Sequence, residues 1–220
     1  MLSVRPAGLV FDMDGLLLDT ERLIRTEMFA VMAQAGLPMT EDDFAQLIGR
    51  PEPASRTIMQ AKFGAGLDYD AMRLAVRERI SAQWGPVRPV KPGAAALIEQ
   101  ARAMGIMCAV ATSSEQALAR AHLGHAGLIA GMHVIIGCDD VVMGKPHPEP
   151  YLAAAAALGL SPGDCLALED SHNGVRSAYG AGMPVVMVPD LLPATPEIAA
   201  MTQAVAPDLM TVGRWLSDAA

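Results

Sequence analysis

The sequence contains few aromatic residues and more acidic than basic ones. Phe, Trp and Tyr make up 4% of the 220 residues, so aliphatic side chains and methionine must fill the core. Asp and Glu number 24 against 16 Lys and Arg, which gives a net charge of -8. Because a nucleic-acid-binding protein normally presents a basic face, we do not expect nucleic acid as a partner. An anionic substrate is not excluded, since a bound metal ion reverses the local field.

Cysteine is also scarce, and no long hydrophobic run is present. Cys108, Cys138 and Cys165 show no metal-binding or disulfide spacing and lie in or at the end of apolar runs, where we expect small core residues. Scarce cysteine fits a reducing compartment. The first apolar run, residues 8–11, is too short for a signal peptide or a membrane span. We therefore expect a cytoplasmic protein without a membrane partner.

Short apolar runs alternate with helical patterns over most of the chain. This alternation predicts an α/β fold in which a Rossmann-like parallel sheet carries helices on both faces. The runs that we interpret as buried strands lie at residues 7–12, 106–111, 134–136, 165–168 and 185–188.

The segment between the first and second predicted strands has a different character. From Thr20 to about Trp84 the sequence shows helical periodicity and no convincing strand. We therefore predict an α/β core domain formed by residues 1–17 and 86–220, interrupted by a helical-bundle cap at residues 18–85. Ligands of open parallel sheets bind beyond the carboxyl ends of the strands. The cap emerges there, where a lid or specificity element would have to lie.

Four polar clusters follow or approach the ends of the predicted strands. Each cluster alone has an ordinary explanation as a turn, a helix cap or a solvated loop. Their common order and placement instead favour one joint site. The clusters are residues 12–14 (Asp-Met-Asp), 112–114 (Thr-Ser-Ser), 144–146 (Gly-Lys-Pro) and 169–171 (Glu-Asp-Ser).

The acidic and basic members of these clusters suit phosphoryl transfer. Asp12, Glu169 and Asp170 offer the hard oxygen ligands that Mg²⁺ prefers. An aspartate such as Asp12 can also act as the nucleophile and form an aspartyl-phosphate. Lys145 and Mg²⁺ would then neutralise the charge on the phosphoryl oxygens.

The remaining members suit hydrogen bonding and proton transfer. The Thr112 or Ser113 hydroxyl would donate a hydrogen bond to the phosphoryl group. Asp14 would protonate the leaving group and then activate water. Two carboxyl groups with different roles need different environments.

Together the four clusters resemble the haloacid dehalogenase superfamily, in particular the branch containing phosphoglycolate phosphatase, β-phosphoglucomutase and small sugar-phosphate phosphatases. The resemblance covers the whole chain, including a helical cap after the first cluster. It implies that Asp12 is the phosphorylated nucleophile and Asp14 the acid and base. It also implies that Mg²⁺ is held by Asp12, the Asp14 carbonyl and Asp170, with Glu169 bound directly or through water. Thr112 or Ser113 would bind phosphate together with Lys145.

Differences between this sequence and particular members of the superfamily indicate which of its reactions is favoured. Its dehalogenases lack the second aspartate, which is present here as Asp14. Similar mutases carry a histidine soon after the Asp-Thr pair, whereas residues 19–25 read Asp-Thr-Glu-Arg-Leu-Ile-Arg. Phosphonate-cleaving relatives use a cap lysine, and the only one here is Lys62, inside a predicted helix. The family's usual Lys-Pro-x-Pro-Asp is replaced by Lys-Pro-His-Pro-Glu, in which Glu149 could still support the Lys145 loop.

We therefore expect an enzyme that hydrolyses the phosphate monoester of a small metabolite, such as phosphoglycolate or a hexose, pentose or deoxy-sugar phosphate. A phosphosugar mutase and a non-catalytic metabolite-binding protein are the alternatives. Glu21, at the start of the first cap helix, and Arg50, in a cap loop, are further candidates for substrate binding. No coiled-coil heptad is readable, and we expect a monomer or a weak homodimer.

Overall fold

Six parallel strands form one sheet in a computed structural model that describes residues 4–48, 50 and 52–219, apart from the side chain of Trp84. The strands are β1 (Gly8–Phe11), β2 (Met107–Ala111), β3 (Val134–Ile136), β4 (Cys165–Glu169), β5 (Val185–Met187) and β6 (Ala204–Val205). Their order across the sheet is β3-β2-β1-β4-β5-β6, and each neighbouring pair is parallel. The strand order reverses between β1 and β4, which is where open sheets of this kind bind ligands.

Helices fill the connections between these strands. Three short 3-10 turns, at residues 129–131, 138–140 and 162–164, complete the described elements. The helices are α1 (Thr20–Gln34), α2 (Glu41–Ala45), α3 (Glu52–Phe63), α4 (Tyr69–Trp84), α5 (Ala94–Ala103), α6 (Gln116–His125), α7 (Glu149–Leu158), α8 (His172–Gly180), α9 (Pro196–Met201) and α10 (Leu209–Asp218).

Alternate residues of the central strands face two separate cores. Leu9 and Phe11 of β1 pack in one cluster with side chains of α5, α6 and α10. Val10 lies in the other cluster, with side chains of α7, α8 and α9. Burial on both faces explains why the central strands are continuous apolar runs. The predicted α/β fold with helices on both faces is confirmed.

Helices α1–α4 pack around an apolar cluster of their own, which includes Met32, Phe44 and Met59. The connections before and after this segment run side by side. Lys91 N–H donates to the Leu17 carbonyl at 2.9 Å, and Asp19 N–H donates to the Pro89 carbonyl at 2.8 Å. The division into a core and a cap at residues 18–85 stays a prediction.

Parts of the carboxyl-terminal half differ from the sequence-based expectation. Strand β6 and helix α9 were not expected, because a two-residue strand and a six-residue helix give little periodic signal. Cys108 and Cys165 are buried as predicted, but the prediction for Cys138 is wrong, since it is exposed in a 3-10 turn.

Among the described residues, no helix is both long enough and apolar enough to cross a membrane.

Candidate active site

Three carboxylates meet at the carboxyl ends of β1 and β4, the strands at which the sheet order reverses. Asp12 follows β1, Glu169 ends β4, and Asp170 comes directly after it. All three are buried, and one oxygen from each lies within 4.8 Å of the others. Asp12 is fixed to the neighbouring strand, because its N–H donates to the Leu168 carbonyl at 2.9 Å. Parallel pairing of β1 with β4 therefore creates the acidic cluster.

Two glycines make the close approach of these acids feasible. Gly15 has a φ of 89°, and a Cβ atom there would lie 2.2 Å from Asp170 Oδ2. A Cβ atom on Gly174 would lie 1.7 Å from Glu169 Oε1. A larger residue at either position would displace a carboxylate of the cluster, and at Gly15 it would also be strained by the left-handed backbone.

Lys145 enters the cluster from the loop before α7. Its Nζ lies 2.6 Å from Asp12 Oδ1 and 2.5 Å from Glu169 Oε1. The loop is supported by Glu149, whose carboxylate accepts the N–H groups of Val142 and Met143 at 2.9 Å each. Glu149 thus performs the supporting role expected of it, despite the departure from an Asp at that position.

The cluster contains more carboxyl groups than its lysine can balance. With all three carboxyl groups ionised, the single ammonium would leave two negative charges uncompensated. Burial raises the pKa of Asp12 from 3.8 to about 8, against the lowering effect of Lys145. Burial and the charge of Asp12 also hold the pKa of Asp170 well above its ordinary value. Buried hard oxygen ligands with an excess charge of this size suit a divalent cation such as Mg²⁺.

Asp14 lies beside this cluster in a different environment. It is half-buried, and its Oδ1 accepts the Thr20 hydroxyl at 2.8 Å. Its Oδ2 accepts the Ser114 hydroxyl at 2.9 Å and that of Thr112 at 3.4 Å. Hydroxyl groups from α1 and from the loop after β2 therefore aim the Asp14 carboxyl group. Asp12 and Asp14 differ in partners, as two carboxyl groups with separate roles require.

The structure brings most of the predicted site residues together, but not all of them. Ser113 is exposed, and the next residue, Ser114, is the one that turns toward Asp14. Arg50 is exposed between α2 and α3. Glu21 is half-buried, and burial together with the charges of Asp14 and Asp190 raises its pKa to about 7. Its carboxyl group therefore lies in the electrostatic field of the site.

Three residues of the site were missed by sequence reasoning. Thr20 and Ser114 belong to quoted motifs, but a motif does not show which hydroxyl points toward a carboxylate. Tyr151 is fully buried in α7, and its hydroxyl donates to Glu169 Oε1 at 2.8 Å. A tyrosine among the alanines of an apolar helix is the signal that could have identified it, because a buried hydroxyl needs a partner.

Comparisons with known proteins identify the family. Residues 6–182 match the family model described as haloacid dehalogenase-like hydrolase. The Bacillus subtilis protein named "Putative phosphatase YhcW" is 34% identical over 193 residues, which cover 86% of each chain.

Solved structures show the same fold. The crystal structure of a putative β-phosphoglucomutase from Thermotoga maritima is 28% identical, with a TM-score of 0.77 over 96% of this chain and 98% of its own. CbbY from Rhodobacter sphaeroides in complex with phosphate is 28% identical, with a TM-score of 0.76 over 94% of this chain and 96% of its own. A mutant of the same CbbY was solved with xylulose-1,5-bisphosphate, at 29% identity and a TM-score of 0.74 over 93% of this chain and 95% of its own. The family model spans most of the chain, and the chain belongs to the haloacid dehalogenase-like hydrolases.

Proposed function

We propose that this protein is a Mg²⁺-dependent phosphatase that hydrolyses a small phosphorylated metabolite through an aspartyl-phosphate on Asp12. The observation that carries the proposal is that Asp12 contacts Lys145, while the nearby Asp14 is held separately by the hydroxyls of Thr20 and Ser114. Groups able to act as nucleophile, cation and proton donor therefore lie close together at the strand ends of the sheet, which supports the proposal. The phosphatase name of the B. subtilis relative supports this reaction class.

The cation site would be formed by Asp12, the main-chain carbonyl of Asp14 and Asp170. A bound Mg²⁺ would supply positive charge that neutralises the carboxylates and the phosphoryl oxygens. Glu169 would contribute its negative charge without contacting the cation directly, because both of its oxygens already accept hydrogen bonds from protein groups. The burial and excess negative charge of the cluster support this assignment.

In the first half of the reaction, an Asp12 carboxylate oxygen attacks phosphorus and the bond to the leaving-group oxygen breaks. Asp14 donates its carboxyl proton to that oxygen, so the alcohol leaves neutral. In the second half, a water molecule attacks the same phosphorus while Asp14 removes its proton. The bond to Asp12 breaks, and inorganic phosphate leaves. Lys145 remains beside the phosphoryl group in both halves, and Thr112 would donate a hydrogen bond to it.

Substrate specificity would depend on helices α1–α4, which we propose act as a cap over the strand ends. Glu21 lies near Asp14, and its pKa is raised to about 7. Its carboxyl group can therefore donate a hydrogen bond to a substrate hydroxyl group when protonated, or accept one from it when ionised. Arg50, which is exposed between α2 and α3, would be a second substrate-binding residue. A sugar phosphate suits such a site, as does the sugar bisphosphate bound by the CbbY mutant.

The phosphatase is preferred over a phosphosugar mutase because similar mutases carry a histidine soon after the Asp-Thr pair, whereas residues 21–25 here contain none. We therefore propose that a water molecule, and not a second sugar, accepts the phosphoryl group. A cytoplasmic location, a monomeric or weakly dimeric state and the lack of a nucleic-acid partner stay predictions from the sequence.

The test is phosphate release from a panel of phosphorylated metabolites, with excess Mg²⁺ or with EDTA. The panel contains phosphoglycolate and hexose, pentose and deoxy-sugar phosphates. We expect Mg²⁺-dependent release from at least one sugar phosphate. A bisphosphate-primed mutase assay runs in parallel, and isomerisation faster than phosphate release would overturn the proposal in favour of the mutase. No release from any compound would favour a non-catalytic binding protein.

A further inference from the structure

The carboxylate of Glu169 is saturated with donors from the protein. Its Oε2 accepts the N–H groups of Asp170 and Ser171 and the Ser171 hydroxyl, each at 3.0 Å. Its Oε1 accepts Lys145 Nζ at 2.5 Å and the Tyr151 hydroxyl at 2.8 Å. The main chain and Ser171 fix one oxygen, whereas Tyr151 and Lys145 share the other. Tyr151 is therefore the neutral donor to the oxygen that also accepts Lys145.

The hydroxyl of Tyr151 has no evident role in packing. The ring lies in the apolar cluster between the sheet and helices α7 and α8, and the residue is 0% exposed. A phenylalanine would fill the same space, so the buried hydroxyl calls for another explanation. Lys145 Nζ also lies 5.1 Å from the centroid of the Tyr151 ring, within the range of a cation–π interaction. Tyr151 thus contacts Lys145 through its ring and Glu169 through its hydroxyl.

Lys145 depends on these contacts most strongly during turnover, and this argument rests on the proposed function. In the resting arrangement its ammonium is held by two carboxylates, Asp12 and Glu169. When Asp12 becomes an acyl phosphate, it no longer carries a carboxylate charge. Glu169 and the ring of Tyr151 are then the protein groups that keep the ammonium at its position, because the lysine stem is flexible.

We propose that Tyr151 is a positioning residue that acts through Glu169 to hold the Lys145 ammonium beside the phosphoryl group. The hydroxyl fixes Glu169 Oε1, and this oxygen in turn fixes Lys145. The role concerns the anion-binding side of the site, because Tyr151 does not contact Asp12 or Asp170 through a hydrogen bond among the described residues.

The test compares Tyr151→Phe with wild type and with Tyr179→Phe, which changes an exposed tyrosine of α8. Isothermal titration calorimetry measures the affinity for inorganic phosphate in excess Mg²⁺, and separately the affinity for Mg²⁺ without phosphate. We expect Tyr151→Phe to bind phosphate about 10-fold more weakly, in line with the loss of an outer-shell hydrogen bond. Its Mg²⁺ affinity should stay at the wild-type value, because Tyr151 bonds Glu169 and not Asp12 or Asp170, and Tyr179→Phe should match wild type in both.

A double-mutant cycle with Lys145→Ala separates positioning from general destabilisation. If Tyr151 acts through Lys145, Tyr151→Phe should weaken phosphate binding little further in the Lys145→Ala background. Equal weakening in both backgrounds, a parallel loss of Mg²⁺ affinity, or wild-type phosphate affinity in Tyr151→Phe would each overturn the inference. These readouts need no turnover. A wild-type protein that binds phosphate but hydrolyses no ester would contradict the proposed function and leave the binding comparison decisive for Tyr151.

Discussion

Lys145 Nζ lies 2.6 Å from Asp12 Oδ1, although the two residues are 133 positions apart in the chain. Asp12 is placed by the pairing of β1 with β4, and Lys145 by a loop that Glu149 supports. The contact joins the proposed nucleophile to the cation that would neutralise its phosphoryl group. One ammonium does not balance the three carboxyl groups of the cluster, so a bound cation should stabilise it.

Mg²⁺ should stabilise the protein, and more so at pH 8 than at pH 6. Burial raises the pKa of Asp12 above its unfolded value of 3.8 to about 8, so without a metal the free energy of unfolding falls as the pH rises through this range. A cation bound to the ionised carboxylates removes that loss, whereas protons compete with it at pH 6. Thermal unfolding with saturating Mg²⁺ or with EDTA should show a rise in Tm of roughly 5 to 10 °C at pH 8.

The control for this prediction is Asp170→Asn, which removes a proposed ligand and should reduce the Mg²⁺-dependent rise in Tm. An equal rise at both pH values, or a rise that Asp170→Asn leaves unchanged, would count against the metal site.

Removing the hydroxyl group of Thr20 should lower kcat by about 10-fold. Thr20 donates to Asp14 Oδ1 at 2.8 Å, and Thr20→Val keeps the branched shape but leaves the carboxyl group less well oriented for proton transfer. Steady-state kinetics should show the change in kcat with KM little altered. Thr26→Val, on the same helix, removes an exposed hydroxyl that donates to the Arg22 carbonyl, and it should keep wild-type kcat. Equal kcat values for the two variants would show that the Thr20 hydroxyl does not orient Asp14 for proton transfer.

The loop that carries Lys145 should loosen when Glu149 is replaced by alanine. The carboxylate accepts the N–H groups of Val142 and Met143, and those bonds lower the pKa of Glu149. Glu149→Ala should therefore reduce kcat/KM by roughly 5- to 10-fold, because the ammonium of Lys145 is less well positioned. Glu197→Ala breaks an exposed ion pair with Arg176 and serves as the control. Similar kcat/KM values for both variants would show that the loop needs no support from Glu149.

The sequence predicted the parts of the fold that depend on periodicity. Strands buried on both faces appear as apolar runs, and β3 lies at the predicted residues 134–136. Helix N-caps leave a residue-type signal as well: Thr40 and Asp68 are favoured N-cap residues, and their side chains accept N–H groups of α2 and α4. The two-residue strand β6 was missed, because its pairing with β5 is a tertiary feature that leaves no local pattern.

The candidate site was predictable to the level of residue type at strand ends. The acids, Lys145 and the Thr112 cluster could be placed there because parallel strands carry their carboxyl ends to one edge. The choice between Ser113 and Ser114 could not be made, since it depends on which hydroxyl the turn after β2 directs toward Asp14. The hydrogen bond from Tyr151 to Glu169 could not be predicted either, because it joins residues of different elements.

The central claim is that Asp12 is the nucleophile, and Asp12→Asn tests it most directly. The variant has nearly the same shape, so circular dichroism and thermal unfolding should show an intact fold. With excess Mg²⁺ and a substrate that the wild type hydrolyses, we predict that the rate of phosphate release falls by at least about 1,000-fold. Phosphate release by the folded Asp12→Asn variant at the wild-type rate would contradict the account.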